Sequence, residues 1–315
     1  MLPYTFEQIV FFFLFYCFVG WCFESTYTSI KSGKLTNRGF MRGPFIPIYG
    51  CGAMMLLFSA SWFLKWPVAV FFAGMISCSI LEYVTGWGME KIFKVRYWDY
   101  SQNPLNLNGH ICLGASAFWG VAALLLNYLL HKPVEKMCLA LPSIALHIIT
   151  IGVSIYFVVD LTLAFKAAFD IRSFIIKIEE AKEEMYLMSR RLDVMLAVLS
   201  DEYDKRTQAI SDTIDDISNG IDEKLAIVKN ALETKPSEIT DNIRNEYFEL
   251  KAKLNISKAE KKAGSFARDL YRKATIKGNP SMKSSKFSDA FETLKKGVME
   301  VTKSDKEDKR KGKSA

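Results

Sequence analysis

The chain contains no Cys-x-x-Cys pair, no Gly-x-x-x-x-Gly-Lys-Ser/Thr run, no His-Glu-x-x-His and no Gly-x-Ser-x-Gly. Each absence closes a route. The six cysteines (Cys17, Cys22, Cys51, Cys78, Cys112, Cys138) are dispersed, which argues against a disulfide framework or a zinc site. They read instead as small apolar residues between helices. Without a P-loop the chain does not hydrolyse a nucleotide by that device. No metalloprotease or nucleophile-elbow signature supports an enzyme. No metal site and no cofactor is expected. The first apolar run has no Lys or Arg before it and is too long for a signal peptide, so the stretch from Phe6 reads as a first membrane helix.

Charge is scarce in one half only. Residues 1–165 hold 10 Lys/Arg and 7 Asp/Glu, against 31 and 27 in residues 166–315. The near-neutral mean hydropathy therefore averages two unlike regions. A helix needs about 20 mainly apolar residues to cross a bilayer. Five segments qualify: 6–30, 45–64, 67–89, 111–131 and 139–165. The second opens with Gly43-Pro44-Phe45-Ile46-Pro47, a first turn or a broken lead-in, and a re-entrant segment is the alternative there. Lys31, Lys34, Arg38 and Arg42 lie in the first loop, and Lys91, Lys94 and Arg96 in the third. The second loop has Lys65, and the fourth Lys132 and Lys136. Cytoplasmic loops collect Lys and Arg, so the first and third loops are expected inside and the N-terminus outside. The expected fold class is all-α: a polytopic transmembrane helical bundle of about five spans, N-out and C-in, in the cytoplasmic membrane, with a cytoplasmic coiled-coil tail.

Polar residues in an apolar setting mark candidate sites. Glu82 interrupts the third run, and Glu90, Arg96, Trp98, Asp99 and Ser101 follow in the block 86–101. Glu24, Arg38 and Arg42 are expected at the same cytoplasmic face. Arginine forks suit carboxylate or phosphate. The cluster reads either as a substrate, ion or headgroup site, or as ion pairs that hold helices in register, Glu24 with Arg42 or Glu82 with Arg38. The aromatics Trp87, Tyr97, Trp98 and Tyr100 also fit the headgroup level. The return through Asn108-Gly109-His110 is placed to dip into the polar site. His147 and Asp160 do not share a helix face, so no pair is expected between them; His147 is expected in an interhelical hydrogen bond.

The tail changes period. Ile178, Met185, Leu192 and Leu199 are seven apart, with Ala181, Met188 and Met195 between them, a coiled-coil seam. Four-residue steps through Tyr203 and Thr207 make a stutter. Apolar steps resume from Ile210 to Val228, and Pro236 ends the run, with Ser237 placed to cap a new helix. Residues 166–250 hold 12 basic and 19 acidic residues, and residues 251–315 hold 19 and 8. The expected domains are a transmembrane domain 1–165, an acidic coiled coil 166–235, a basic helical tail 236–300 and a disordered terminus 301–315. Residues 171–235 would mediate homo-oligomerisation or docking of a partner protein. The basic stretch 251–296 would contact anionic lipid or pair with the acidic coil, and nucleic acid is not the expected partner.

The motifs Arg38-Gly39-Phe40 through Gly43-Pro44, Pro47-Ile48-Tyr49-Gly50-Cys51-Gly52, Leu81-Glu82-Tyr83, Arg96-Tyr97-Trp98-Asp99-Tyr100-Ser101 and Asn108-Gly109-His110-Ile111-Cys112-Leu113 resemble a bacterial membrane family described as putative ABC-transporter type IV. The resemblance covers about residues 5–165. It implies a permease-like subunit whose ATPase is a separate chain, coupled through the first and third loops. A membrane enzyme acting on lipid or headgroup substrates, and a non-catalytic scaffold oligomerising through its coiled coil, are the alternatives.

Overall fold

The computed structural model describes residues 4–199, 214–234, 245–251, 270–292 and 294–296. They are helical apart from loops and one two-stranded ribbon, so the chain is all-α. The stutter at 203–207, the Ser237 cap, most of the basic stretch before Leu270 and the terminus 301–315 lie outside the described residues.

Among the described residues, four helices are long and apolar enough to cross a membrane: α1 (Phe6–Ser32), α3 (Pro67–Phe93), α4 (Leu113–Ala140) and the apolar part of α5 (Ser143–Leu199). Local chemistry sets their ends. Thr5 and Gln8 form a capping box on α1, and Gly33 closes it at φ 64°. Pro67 opens α3 at its first position, where its missing N–H costs nothing. Along α3, Phe72, Ile76, Ile80 and Val84 form an exposed stripe of four-residue steps. Such a face suits lipid and would be a liability in water.

The second expected span is corrected. The helix there, α2 (Pro47–Ala60), has 14 residues. At 1.5 Å per residue it is about 21 Å long, short of the roughly 30 Å hydrocarbon core. Pro44 and Pro47 keep the preceding chain extended. The backbone groups so freed find partners: Ile46 N–H donates to the Cys17 carbonyl at 3.0 Å, and Gly43 N–H to Asp160 Oδ2 at 2.8 Å. Non-helical backbone at such depth survives only when satisfied by protein. α2 then runs back along α1, and two glycines set its neighbours close. A Cβ on Gly50 would meet Cys17 Sγ at 2.4 Å and the Phe13 carbonyl at 2.7 Å. One on Gly74 of α3 would meet Ala123 Cβ of α4 at 2.3 Å. Phe12, Leu56, Ala60, Val70, Cys78 and Ala123 belong to the resulting core.

The expected fourth loop around Lys132 and Lys136 is also corrected. Both lie on the last part of α4, which continues to Ala140 after a π-turn at Leu126–Leu130. His131, just past the turn, meets Tyr16 Oη at 2.9 Å and Tyr4 Oη at 3.1 Å, so a buried imidazole on an apolar helix is satisfied. His147 meets Glu7 and Asp160 accepts from Gly43, so the two do not pair with each other.

The described residues divide into two compact units. One takes the residues up to Arg172 together with 270–286; the boundary falls inside α5. The second unit holds the rest of α5, α6 (Ile214–Thr234) and the described residues near 245–251 and beyond Phe287. There the heptad residues Met185, Met188, Leu192 and Met195 pack against Ile221, Leu225, Val228, Tyr247 and Leu250 of the same chain. The buried Lys224 is held by Asp193 at 2.7 Å and Ser189 at 3.0 Å. The seam read from the sequence is thus filled within the chain.

Candidate functional site

Within the first unit, the ends of α1 and α3, the start of α2 and the facing part of α5 surround a cavity of about 480 Å³. The loop 33–46 contributes Arg38, Gly39 and Phe40. The loop after α3 contributes Tyr97 and Trp98, and Asn279 closes one side from the end of α7 (Leu270–Gly278). Phe40 stands edge-on to Tyr97 at 5.5 Å between ring centres and lies 5.9 Å from Phe93, so the two polar stretches singled out in the sequence meet on one cavity. Its walls are largely apolar, with Glu24 and Arg38 among the polar groups that line it. Glu24 lies 3.8 Å from Arg38 Nε and accepts from Tyr49 Oη at 2.8 Å. Arg38 also donates to Ser281 Oγ at 3.2 Å. The register pairs expected from the sequence are corrected: Glu24 takes Arg38 rather than Arg42. Arg42 is exposed, and its carbonyl accepts from Asn37.

Glu82 pairs with no arginine. Its two oxygens accept from Tyr100 Oη at 3.0 Å and from Trp119 Nε1 at 2.9 Å, and the residue is 6% exposed. A carboxylate in an apolar helix is tolerable when each oxygen has a donor.

A second cluster lies beside the cavity. The αL residue Lys94 ends α3 at φ 61°. The chain returns through a ribbon of β1 (Asn106–Leu107) and β2 (Ile111–Cys112). Asn108 and Gly109, at φ 53° and 73°, make the mirror-image turn that Asn-Gly favours, closed by His110 N–H on the Leu107 carbonyl at 3.1 Å. This turn does dip into the polar site. Glu90 Oε2 receives Arg96 Nε at 2.7 Å and His110 Nε2 at 3.3 Å, and Glu90 Oε1 receives Ser285. Asp99 receives both the hydroxyl and the N–H of Ser101, with Arg96 Nη1 at 3.7 Å and Lys283 Nζ at 3.3 Å. Trp98 Nε1 donates to the His110 carbonyl at 3.0 Å.

Burial alone would raise the Asp99 carboxyl, but the Ser101 donors and the Lys283 ammonium outweigh it and hold the group below its ordinary value. Burial, aided by Arg96, lowers the His110 imidazole against the pull of Glu90 and Asp99. The His110–Glu90 contact is therefore read as a neutral imidazole N–H on a carboxylate, not as an ion pair. Burial raises the Tyr97 phenol, whose ring lines the cavity and whose hydroxyl has no hydrogen-bond partner.

A strap that sequence reasoning missed crosses this region. Residues 279–285 follow α7, and Lys283 pairs with Arg96 as an antiparallel bridge, N–H to carbonyl at 2.7 and 3.0 Å. Ser281 Oγ donates to the Tyr97 carbonyl at 3.1 Å, Ser284 Oγ to the Lys94 carbonyl at 2.7 Å, and Asn279 Nδ2 to the Gly39 carbonyl at 2.8 Å. Tyr49 and Trp119 were missed too, and Tyr100, read as a headgroup-level aromatic, donates to Glu82. The signal for Trp119 was present: an indole N–H in an apolar helix needs an acceptor.

Of the residues expected at the site, Glu24, Arg38 and Trp98 line the cavity; Glu90, Arg96, Asp99 and Ser101 form the strap-side cluster; Glu82 lies in its own buried network; Arg42 is not among the residues that line the cavity. No group of His, Cys, Asp and Glu able to hold a metal occurs among the described residues. No curated protein and no solved structure matches the chain. Residues 11–165 match the model of the family described as putative ABC-transporter type IV, which the sequence motifs resemble.

Proposed function

We propose that the chain is the membrane, permease-like subunit of an ABC-type transport system in the cytoplasmic membrane, with nucleotide hydrolysis supplied by a separate chain. The observation that carries this reading is the cavity at the ends of α1 and α3, with the underused Glu24–Arg38 pair in an otherwise apolar wall. The family match and the membrane-length helices support it. The loop 33–46 and the loop after α3 would be the coupling surface, on the inside by their Lys/Arg content. In this reading Glu24, Arg38 and Trp98 handle substrate. Glu90, Arg96, Asp99 and Ser101 fasten the strap, because each carboxylate there already has protein donors. Since the α5 heptads are filled within the chain, any partner of residues 171–235 would meet the outer faces of that second unit.

Mild cross-linking in the native membrane, followed by purification and mass spectrometry, tests the reading. An ATPase subunit should copurify, linked to Lys31, Lys34 or Lys91. Arg38→Gln should abolish transport at normal abundance. Copurification of no nucleotide-hydrolysing protein sinks the reading.

A further inference from the structure

The cavity has a side door. Val84, Gly88 and Ile92 of α3 line it, and they continue in four-residue steps the exposed stripe of Phe72, Ile76 and Ile80. Val84 is 55% and Ile92 45% exposed, on a helix face whose large apolar side chains suit lipid. Gly88 supplies the gap, since a Cβ there would find nothing within 4 Å. A ligand can therefore slide in from the bilayer with its apolar part still among lipid chains. Among the polar lining residues, Arg38 spends one guanidinium N–H on Ser281 and stands 3.8 Å from Glu24, too far for the bidentate fork it could make. Glu24 accepts one hydrogen bond, from Tyr49. Both side chains are partly exposed, at 18% and 29%. A cation and an anion, each with unused capacity, face the same apolar space.

We infer that the cavity binds a zwitterionic phospholipid of the surrounding membrane, its phosphate on Arg38 and its primary ammonium on Glu24, with the acyl chains leaving past Val84, Gly88 and Ile92. A purely anionic head would be repelled by Glu24, and a purely cationic one by Arg38. The volume, within the usual range for ligand sites, takes a headgroup and the first methylenes rather than a whole lipid, so the open side is required. The inference rests on the cavity being the substrate-handling site and names the class of molecule it handles.

The test is lipid retention by the purified full-length chain. The delipidated protein is offered equal phosphatidylethanolamine and phosphatidylglycerol of matched chains, and the bound lipid is read by native mass spectrometry. The wild type should retain phosphatidylethanolamine about tenfold over phosphatidylglycerol. Glu24→Gln should bring that ratio towards one, and Arg38→Gln should reduce retention of both lipids. Gly88→Leu, whose Cβ meets open space, should abolish retention with an unchanged unfolding temperature, and so keeps the test open if the charge variants fold poorly. Equal retention of the two lipids by the wild type, or undiminished retention in Gly88→Leu, overturns the inference. Displacement by equimolar soluble glycerophosphoethanolamine also overturns it, because the chains would then contribute nothing. Because no ATPase is needed, a failure here leaves the transport reading standing, and absence of an ATPase leaves this result standing.

Discussion

Glu82 shows how an ionisable residue is kept inside an apolar helix. Its oxygens have one donor each, an indole N–H and a phenol O–H, both from aromatic residues that also fill space. Trp119→Phe keeps most of the apolar volume and deletes one donor. The carboxylate is then half satisfied, at a cost of about 1–3 kcal/mol. The expected outcome is a lower unfolding temperature in detergent, with Tyr100→Phe lowering it in the same direction; no change in either variant would mean that the hydrogen bonds contribute nothing. His110 gives a pH response of definite sign. Burial first, then Arg96, holds its folded-state pKa below 6.5. Once exposed, the loop binds a proton more readily, so its docking is fully stable above pH 6.5 and weakens as pH falls through the lowered folded value. Protease cutting within 94–112 should therefore speed up between about pH 7 and pH 5, and His110→Gln should flatten that dependence. An unaltered slope in the variant would assign the response to another group.

Among the elements, α2 depends most on a close approach. At Gly50 the obstacle to any Cβ includes the Phe13 carbonyl, which cannot rotate away as a side chain can. Gly50→Ala should destabilise the membrane unit by about 1–3 kcal/mol, while Gly88→Ala, with open space around it, should be neutral. Thermal unfolding of the two variants side by side checks this; equal stability would mean that α2 can move off α1. Much of this arrangement was legible beforehand. Apolar runs of about 20 residues marked the long helices, and Pro44 with Pro47 marked the weak second span. The pairing partners were not legible. Arg38 and Arg42 are four residues apart in one loop, and nothing in their spacing says which one faces Glu24. The strap was invisible for a different reason. Ser284 reaches the Lys94 carbonyl across 190 residues, and a short stretch of loop pairing leaves no periodic trace in the sequence. In the second unit periodicity does not say whether the facing helix belongs to another chain, and here α6 residues pack on the heptad positions.

For the molecule as a whole, the shortness of α2 bears on the orientation in the membrane. Four long helices alone would return the chain to the side on which it started. The contacts of α2 argue for a fifth crossing. Its start meets α1 at Cys17, about midway along that helix, and Leu56 and Ala60 pack with Phe12 and with Val70 near the start of α3. On a five-crossing reading, the extended lead-in 43–46 would cover the part of the crossing that 14 helical residues do not. Lys34 would then lie on the side opposite Lys65, as the Lys/Arg bias of the loops predicts. Both lysines are exposed and outside the candidate site. With the native cysteines replaced by serine or alanine, Lys65→Cys in intact cells should react with a membrane-impermeant maleimide. Lys34→Cys should react only after permeabilisation. Labelling of both positions from outside would make α2 re-entrant and leave the N-terminus and the end of the last span on one side. Labelling of Lys34→Cys alone would reverse the orientation, and with it place the strap, the cavity wall bearing Arg38 and the charged tail on the outer face, where no ATPase could reach the loops.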